Sequence, residues 1–370
     1  MKLAHFEALR PICVPCQVEH GEELGLLLTV EAKREGDDIL EGVLQCPSPR
    51  CQREYPILDG IPLLVPDVRG YLASQLQQLT LRDDLSPVIE GLLGEASGPG
   101  SPLDVTRIQL SSYGWDHYGE WDPASAQAGG LPPTPTQGSV SRTLEVGLEL
   151  AASAGAPIGE GPLLDIGCAV GRATFDLAGR SAGLVVGVDL GFPMLRLASR
   201  VLRRGSARYP LRRGGVLYEW KDFPVPVTGR ERVDFWACDA VHLPFPTGSI
   251  GGAVALNLLD CVYGPLDLLR SAARVLRPGS TLVVATPYDW SPAATTIDAW
   301  IGGHSPRSPG AGASEAILRA LLTPGGHPAS VAELRLVAER DRVPWTVRLH
   351  DRSTVLYHLH LVAATKPVVA

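Results

Sequence analysis

From Pro162 onward the chain alternates short apolar runs with stretches of helical spacing, and no other feature of the sequence restricts the fold as much. The runs at 163–166, 184–188, 233–237, 252–256 and 281–285 are too short for helices and read as near-continuous hydrophobic strands, the pattern of a sheet covered on both faces. Between them, residues 172–178, 193–202 and 266–276 carry helical patterns, the last closed by Arg277-Pro-Gly. Strands joined through helices run parallel, because a parallel pair needs a crossover long enough to hold a helix. The tail adds two more runs, 343–350 and 355–363, spaced as an antiparallel pair that finishes the sheet. The expected fold is α/β, a doubly wound, Rossmann-like and mostly parallel sheet.

The first strand runs into LLDIGCAVGR, which sets Gly167 and Gly171 between a strand and a helix. Glycine lets the backbone pass close to a ligand, and a helix start offers free N–H groups. Such a loop also occurs as a plain connector, so the other strand ends decide. Asp189, with Leu190 beside it, ends the second strand, where a carboxylate accepts both hydroxyls of a ribose. Asp239 and Ala240 follow the third strand, near where an adenine amino group would lie. Asn257 ends the fourth, on the carboxyl edge where open α/β sheets bind ligands. A nicotinamide-binding unit is the rival, but it spaces its glycines G-x-G-x-x-G, and this loop has G-x-x-x-G.

The run of LLDIGCAVGR, VVGVDLGFPMLRLA, DFWACDAVHLPFPTGSIGGAV and LLRSAARVLRPGSTLVVATP resembles the class I S-adenosylmethionine-dependent methyltransferases over residues 140–365. The resemblance implies that Gly167 and Gly171 flank the methionine portion of the cofactor and that Asp189 holds the ribose. It further implies that Asp239 with Ala240 meets adenine and that Asp165 orients the loop or the cofactor's amino group. The family usually has glycine where this chain has Ala169. Four further segments, DIGCAVGRATFDLA, ALNLLDCVYGP, ATPYDWSPAATTIDAWIGGH and VPWTVRLHDRSTVLYHLHLVAA, are similar to the methyltransferase domain of ovothiol synthase and its mercaptohistidine N-methyltransferase relatives. The segment Ser112-Tyr-Gly-Trp-Asp-His-Tyr-Gly is similar to the Tyr- and His-bearing stretch before that family's cofactor domain. The chain departs from the pattern at Tyr288-Asp-Trp and at Arg348-Leu-His-Asp-Arg-Ser. The implied acceptor is a small nucleophile, an imidazole- or thiol-bearing metabolite.

Methyl transfer from a sulfonium asks the protein mainly for geometry, and a base helps only when the acceptor's proton must leave. The substrate-side candidates are His117, Asp260 just after the fourth strand, and Tyr288 after the fifth. Each has a plainer reading: a surface histidine, a cap of the following helix, an aromatic packing the lip of the sheet. Cys168, Cys238 and Cys261 read as small buried hydrophobes.

Four of the seven cysteines lie in the first 51 residues, as Cys13-Val-Pro-Cys16 and Cys46-Pro-Ser-Pro-Arg-Cys51. Two thiol pairs on tight turns can close a tetrahedron around zinc, and four cysteines leave no open position, so the metal would be structural. Four free thiols are the alternative, and His20 is a candidate substitute ligand. With the Tyr55-Pro-Ile-Leu-Asp-Gly-Ile-Pro that follows, this segment resembles the small zinc-binding activators of tRNA and release-factor methyltransferases.

The expected organisation is a zinc-ribbon-like α+β domain at 1–66, a helical and Pro/Gly-rich connector at 67–139, and a methyltransferase domain at 140–370. Charge bears on the partner: 33 Lys plus Arg against 40 Asp plus Glu give −7, and a protein living on phosphate contacts has a basic surface. The arginines at 196, 200, 203, 204, 208, 212 and 213 read as the solvated face of a helix and its exit loop. The sequence has no apolar run suited to a membrane span and no leader-like N-terminus, so the cytoplasm is the expected compartment. The expected function is methyl transfer to a small molecule. An RNA or protein methyltransferase using the zinc domain is the alternative, and a non-catalytic protein that kept the fold is a third.

Overall fold

The computed structural model describes residues 1–80, 85–125 and 136–368. Two short helices, α1 (Leu3–Leu9) and α2 (Val14–His20), precede four antiparallel strands: β1 (Leu27–Glu35), β2 (Asp38–Gln45), β3 (Glu54–Leu58) and β4 (Ile61–Leu64). Three helices follow, α3 (Val68–Thr80), α4 (Pro87–Ser97) and α5 (Pro102–Tyr118). Residues 81–84 and 126–135 of the expected connector lie outside the described residues. Helix α6 (Ser139–Ser153) leads into the alternating part: β5 (Leu163–Ile166), α7 (Arg172–Arg180), β6 (Val185–Asp189) and α8 (Phe192–Arg204). A hairpin, β7 (Ser206–Gly214) and β8 (Leu217–Pro224), interrupts it. Strands β9 (Val233–Cys238) and β10 (Ile250–Leu256), helix α9 (Pro265–Val275), β11 (Leu276–Thr286), α10 (Ser314–Leu321), β12 (Arg335–His350) and β13 (Ser353–Thr365) complete the chain.

Among the described residues eleven strands form one sheet in the order β1-β2-β3-β4-β9-β6-β5-β10-β11-β13-β12. From β4 to β11 every neighbouring pair is parallel; β13 and β12 close the far edge antiparallel, as their spacing predicts. The chain order reverses between β5 and β10, so the crevice at their carboxyl ends is where such a sheet takes ligands. Helices cover both faces. Cys13, Cys16, Leu44 and Tyr55 share one buried cluster with Leu164, Val186 and Trp236, while the opposite face packs Phe175, Leu195 and Ala198 on Phe235. The N-terminal strands therefore prolong the main sheet. The register Leu63↔Ala237 and Leu64↔Cys238 joins β4 to β9 beside Asp239.

The arginine run departs from the sequence expectation. Arg208, Arg212 and Arg213 lie on β7, not in a helix exit loop. Arg196 pairs with Asp59, Arg208 lies over the Trp220 ring at 4.5 Å, and Arg213 pairs with Glu219 and Asp351. The first contact ties the β3–β4 turn to α8, and the others brace the hairpin and join it to the β12–β13 turn. No helix among the described residues is long and apolar enough to cross a membrane.

Candidate functional site

A cavity of about 430 Å³ opens at the carboxyl ends of β5, β6, β9 and β10. That volume falls in the range of small-molecule sites. Its floor is the loop after β5, which needs left-handed backbone at Gly167, φ 74°, and at Ala169, φ 47°. The second is the position where the sequence has alanine in place of glycine, and the chain takes that conformation there all the same. Asp189 pins the loop: its Oδ2 accepts the Ala169 N–H at 2.9 Å while Oδ1 accepts the Gly191 N–H at 2.7 Å. A carboxylate oxygen can accept a second hydrogen bond, and Asp189 lines the cavity. Burial raises the Asp189 carboxyl despite these two bonds.

Asp165 is buried under the same loop and accepts the Thr174 hydroxyl at 2.7 Å. Burial pushes its carboxyl up to about 7. Asp239 is the contrasting acid. Burial would raise it, but the His242 ring 3.6 Å away and hydrogen bonds from the Val241 amide and the Tyr263 hydroxyl outweigh that and hold it below the usual carboxylate range. Tyr263 donates to Oδ2 at 2.9 Å, and Val241 to Oδ1 at 3.0 Å. Leu190, Ala240 and Asn257 line the cavity as well, Asn257 in left-handed backbone at φ 56°.

Gly171 does not line the cavity. Its φ is 91°, and a Cβ there would stand 2.6 Å from the Phe235 ring and 2.9 Å from the Ala198 Cβ. It serves the close packing of α7 on β9 rather than ligand approach.

The roof comes from far away in the chain. Gln109, Tyr113 and His117 descend from α5, and Trp345 reaches in from β12. Helix α5 is fixed on the loop by the Tyr118 hydroxyl donating to the Val170 carbonyl. The Arg172 guanidinium donates to the His117 carbonyl at 2.8 Å. Asp116 caps α6, its carboxylate accepting the Ser139 and Val140 amides at 2.7 and 3.2 Å. His117 is buried, and its Nδ1 accepts the Arg172 N–H at 3.2 Å. Gln109, Tyr113, Tyr263 and Trp345 are cavity residues that the sequence reading did not select. Tyr113, Tyr263 and Trp345 each carried a signal, their places in the Ser112–Gly119, ALNLLDCVYGP and VPWTVRLHDRSTVLYHLHLVAA segments, and Gln109 carried none.

Asp260 and Tyr288 stand outside the cavity wall, although the sequence set them beside the acceptor. The Asp260 carboxylate accepts the Thr286 hydroxyl at 3.2 Å, bracing the turn after β11 instead of capping a following helix. The Tyr288 hydroxyl lies 2.7 Å from His360 Nδ1, and His360 Nε2 lies 3.1 Å from Glu339. Cys168 and Cys238 are buried as expected, but Cys261 is exposed and lines the cavity.

In the N-terminal region the Sγ atoms of Cys13, Cys16, Cys46 and Cys51 all lie within 4.8 Å of one another. The Cys13–Cys51 and Cys16–Cys46 separations are both 3.7 Å. Four sulfurs at about 2.3 Å from a tetrahedral zinc would stand about 3.8 Å apart, so the donor set and spacing fit the metal. The start of α2 presents Cys13 and Cys16, where the sequence pattern predicted a tight turn, and the β2–β3 connection presents the other two, with the Cys46 N–H on Arg53 O and the Cys51 N–H on Ser48 O. His20 stays outside this cluster, beside Glu19.

Residues 164–284 match the family model of a methyltransferase domain. The chain is 30% identical to the O-methyltransferase cnsE of Penicillium expansum over 189 residues, covering 50% of this chain and 56% of that one. It is 28% identical to the O-methyltransferase resE of Aspergillus sclerotiorum over 172 residues, 46% and 53% of the two chains. The chain thus spans about half the length of these relatives. Among solved structures it is similar to the [4+2]-cyclase SpnF at 16% identity, with 70% of this chain and 96% of that one covered and a TM-score of 0.41. The domain match runs from β5 to β11, over the strand ends and loops that form the cavity floor.

Proposed function

We propose that the chain transfers the methyl group of S-adenosylmethionine to a small-molecule nucleophile. The observation that carries this reading is one continuous cavity that joins the acids at the ends of β5, β6 and β9 to an aromatic roof of Tyr113, His117 and Trp345. In this reading Asp189 holds the ribose, Asp239 and Ala240 take the adenine edge, and Asp165 with Gly167 receives the amino group. When bound, the cofactor supplies a methyl group already activated by its sulfonium. The protein's part is to hold the acceptor in line and exclude water, which is enough for a large share of the rate.

Among its described lining residues the cavity has three carboxylates and neither lysine nor arginine. A phosphate-rich acceptor would meet no counter-charge there. This favours a neutral or cationic small acceptor over RNA. An imidazole- or thiol-bearing metabolite meets that condition, and so does a hydroxyl acceptor of the kind implied by the names of the O-methyltransferase relatives. We further propose that Cys13, Cys16, Cys46 and Cys51 hold one structural zinc.

Calorimetry should detect binding of S-adenosylmethionine to the wild-type protein, weakened roughly ten- to hundred-fold by Asp189→Ala. Labelled cofactor should then deliver its methyl group into the low-mass fraction of a metabolite extract. Label entering RNA instead, in a form removed by nuclease, would overturn the small-molecule reading.

A further inference from the structure

His117 was selected from the sequence as a candidate base, and its surroundings contradict that role. Nδ1 is occupied as an acceptor by the Arg172 N–H, the first amide of the nine-residue α7. A neutral ring with an accepting Nδ1 carries its proton on Nε2, so the atom left over is a donor. Nε2 has no partner among the described residues, and the ring forms part of the cavity wall. Burial, and secondarily the Arg172 charge, lower the imidazole to about 3, which keeps it neutral at ordinary pH. The arrangement passes one N-terminal hydrogen bond of α7 through the imidazole and into the cavity.

What would receive it follows from the charges in the cavity. The floor carries Asp165 and Asp189, which suit an ammonium and hydroxyls and repel an anion. With neither lysine nor arginine among the described lining residues, an anionic oxygen there must rely on neutral N–H and O–H donors. A ligand whose amino group sits by Asp165 and Gly167 has its carboxylate one carbon away, on the loop that ends at Arg172. We propose that His117 is a fixed neutral donor, presenting Nε2–H to the amino-acid carboxylate of the cofactor. This rests on the cofactor reading above. It makes His117 a binding residue and leaves the acceptor's proton to solvent or to the acceptor's own ionisation.

The test compares two ligands and two variants by calorimetry on the full chain. S-adenosylhomocysteine carries the carboxylate; methylthioadenosine lacks the whole amino-acid end. His117→Leu removes the donor, and His117→Gln restores an N–H near the Nε2 position, while both lose the Nδ1 acceptor. A general loss of folding would therefore strike both variants alike. His117→Leu should weaken S-adenosylhomocysteine roughly ten- to hundred-fold while methylthioadenosine binding changes less than about twofold. His117→Gln should recover most of the S-adenosylhomocysteine loss. In the wild-type protein, nitrogen-15 spectra should report the Nε2-protonated tautomer. Equal loss for both ligands, no rescue by glutamine, or an Nδ1-protonated ring would overturn the proposal. Wild-type protein that binds neither ligand would instead overturn the cofactor reading, and this inference with it.

Discussion

The cysteine cluster and the ligand cavity both gather side chains to a point, but they draw on the chain differently. The cluster closes within 39 positions, Cys13 to Cys51, from the start of α2 and the β2–β3 connection. The cavity takes its floor from residues 165–263 and its roof from Gln109, Tyr113, His117 and Trp345, up to 236 positions apart. A site made by local spacing is specified by a few residues and fails with any of them. A convergent site is spread over many contacts and should degrade by degrees. The regions that carry them are joined, because β4 pairs with β9 next to Asp239, and the Glu23 carboxylate accepts the Thr247 amide on the β9–β10 connection.

The largest effect should come from breaking the local site. The purified protein should contain about one zinc per chain, and Cys13→Ser with Cys46→Ser should release it. Metal binding is folding energy for such a small unit, since apparent values for structural zinc run to about 10–16 kcal/mol. Hydrogen exchange should therefore rise through β1–β4 in the double variant, and it should rise less through β5, β10 and β11. Elemental analysis that still finds zinc in the variant would move the ligands elsewhere. Uniform exchange across the sheet would erase the distinction between the two regions.

The same contrast accounts for what was legible in the sequence. Strands β5, β6, β9, β10 and β11 stood out because strands buried on both faces must be apolar throughout, and the Cys pairs stood out by spacing. Asp165, Asp189 and Asp239 could be selected because strand ends occupy fixed places along the edge of such a sheet. Helix α5 was not recognised as a roof: its place depends on Tyr118 reaching Val170 and on Arg172 reaching His117, contacts 52 and 55 positions apart. The β7–β8 hairpin was hidden because its arginines stack and pair across strands, so its outward face looked like solvated helix. Gly171 fitted the pattern of a ligand-contacting glycine, whereas the constraint on it is the Phe235 ring behind the loop. The fusion of the N-terminal strands to the main sheet left no local mark, since Leu63 and Leu64 look like any apolar pair.

A pH experiment sharpens the comparison on the cavity side. The Asp165 carboxyl is raised to about 7 by burial, above its ordinary value of 3.8. The folded state therefore holds a proton that the unfolded chain releases more readily. The stability this adds is fully present below about pH 4 and is lost as pH rises through about 7. In cofactor-free protein, Asp165→Asn should flatten the decline in melting temperature between pH 5 and 8. The ionised acid should attract the cofactor's ammonium, so wild-type affinity for S-adenosylhomocysteine should tighten over the same interval, and the variant's should tighten less. An unchanged slope in Asp165→Asn would place the titrating group elsewhere.

The smallest effect should belong to Tyr288, which stands with neither site. Its phenol is held well above the usual range, chiefly by burial, so it is protonated, and its hydroxyl shares a hydrogen bond of 2.7 Å with His360 Nδ1. His360 in turn faces the Glu339 carboxylate, which is paired with Arg319 at 2.8 Å. This chain of contacts runs away from the cavity and ties the turn after β11 to β13 and β12. Tyr288→Phe keeps the ring and removes one hydrogen bond, leaving a buried imidazole nitrogen without its partner. The expected cost is about 1 kcal/mol in denaturant melts, with binding of S-adenosylhomocysteine unchanged within about twofold. If the substrate pocket instead extends to Tyr288, the variant will lower turnover at saturating acceptor while its stability hardly moves. That outcome would return Tyr288 to the chemistry and extend the convergent site across β11 to β13.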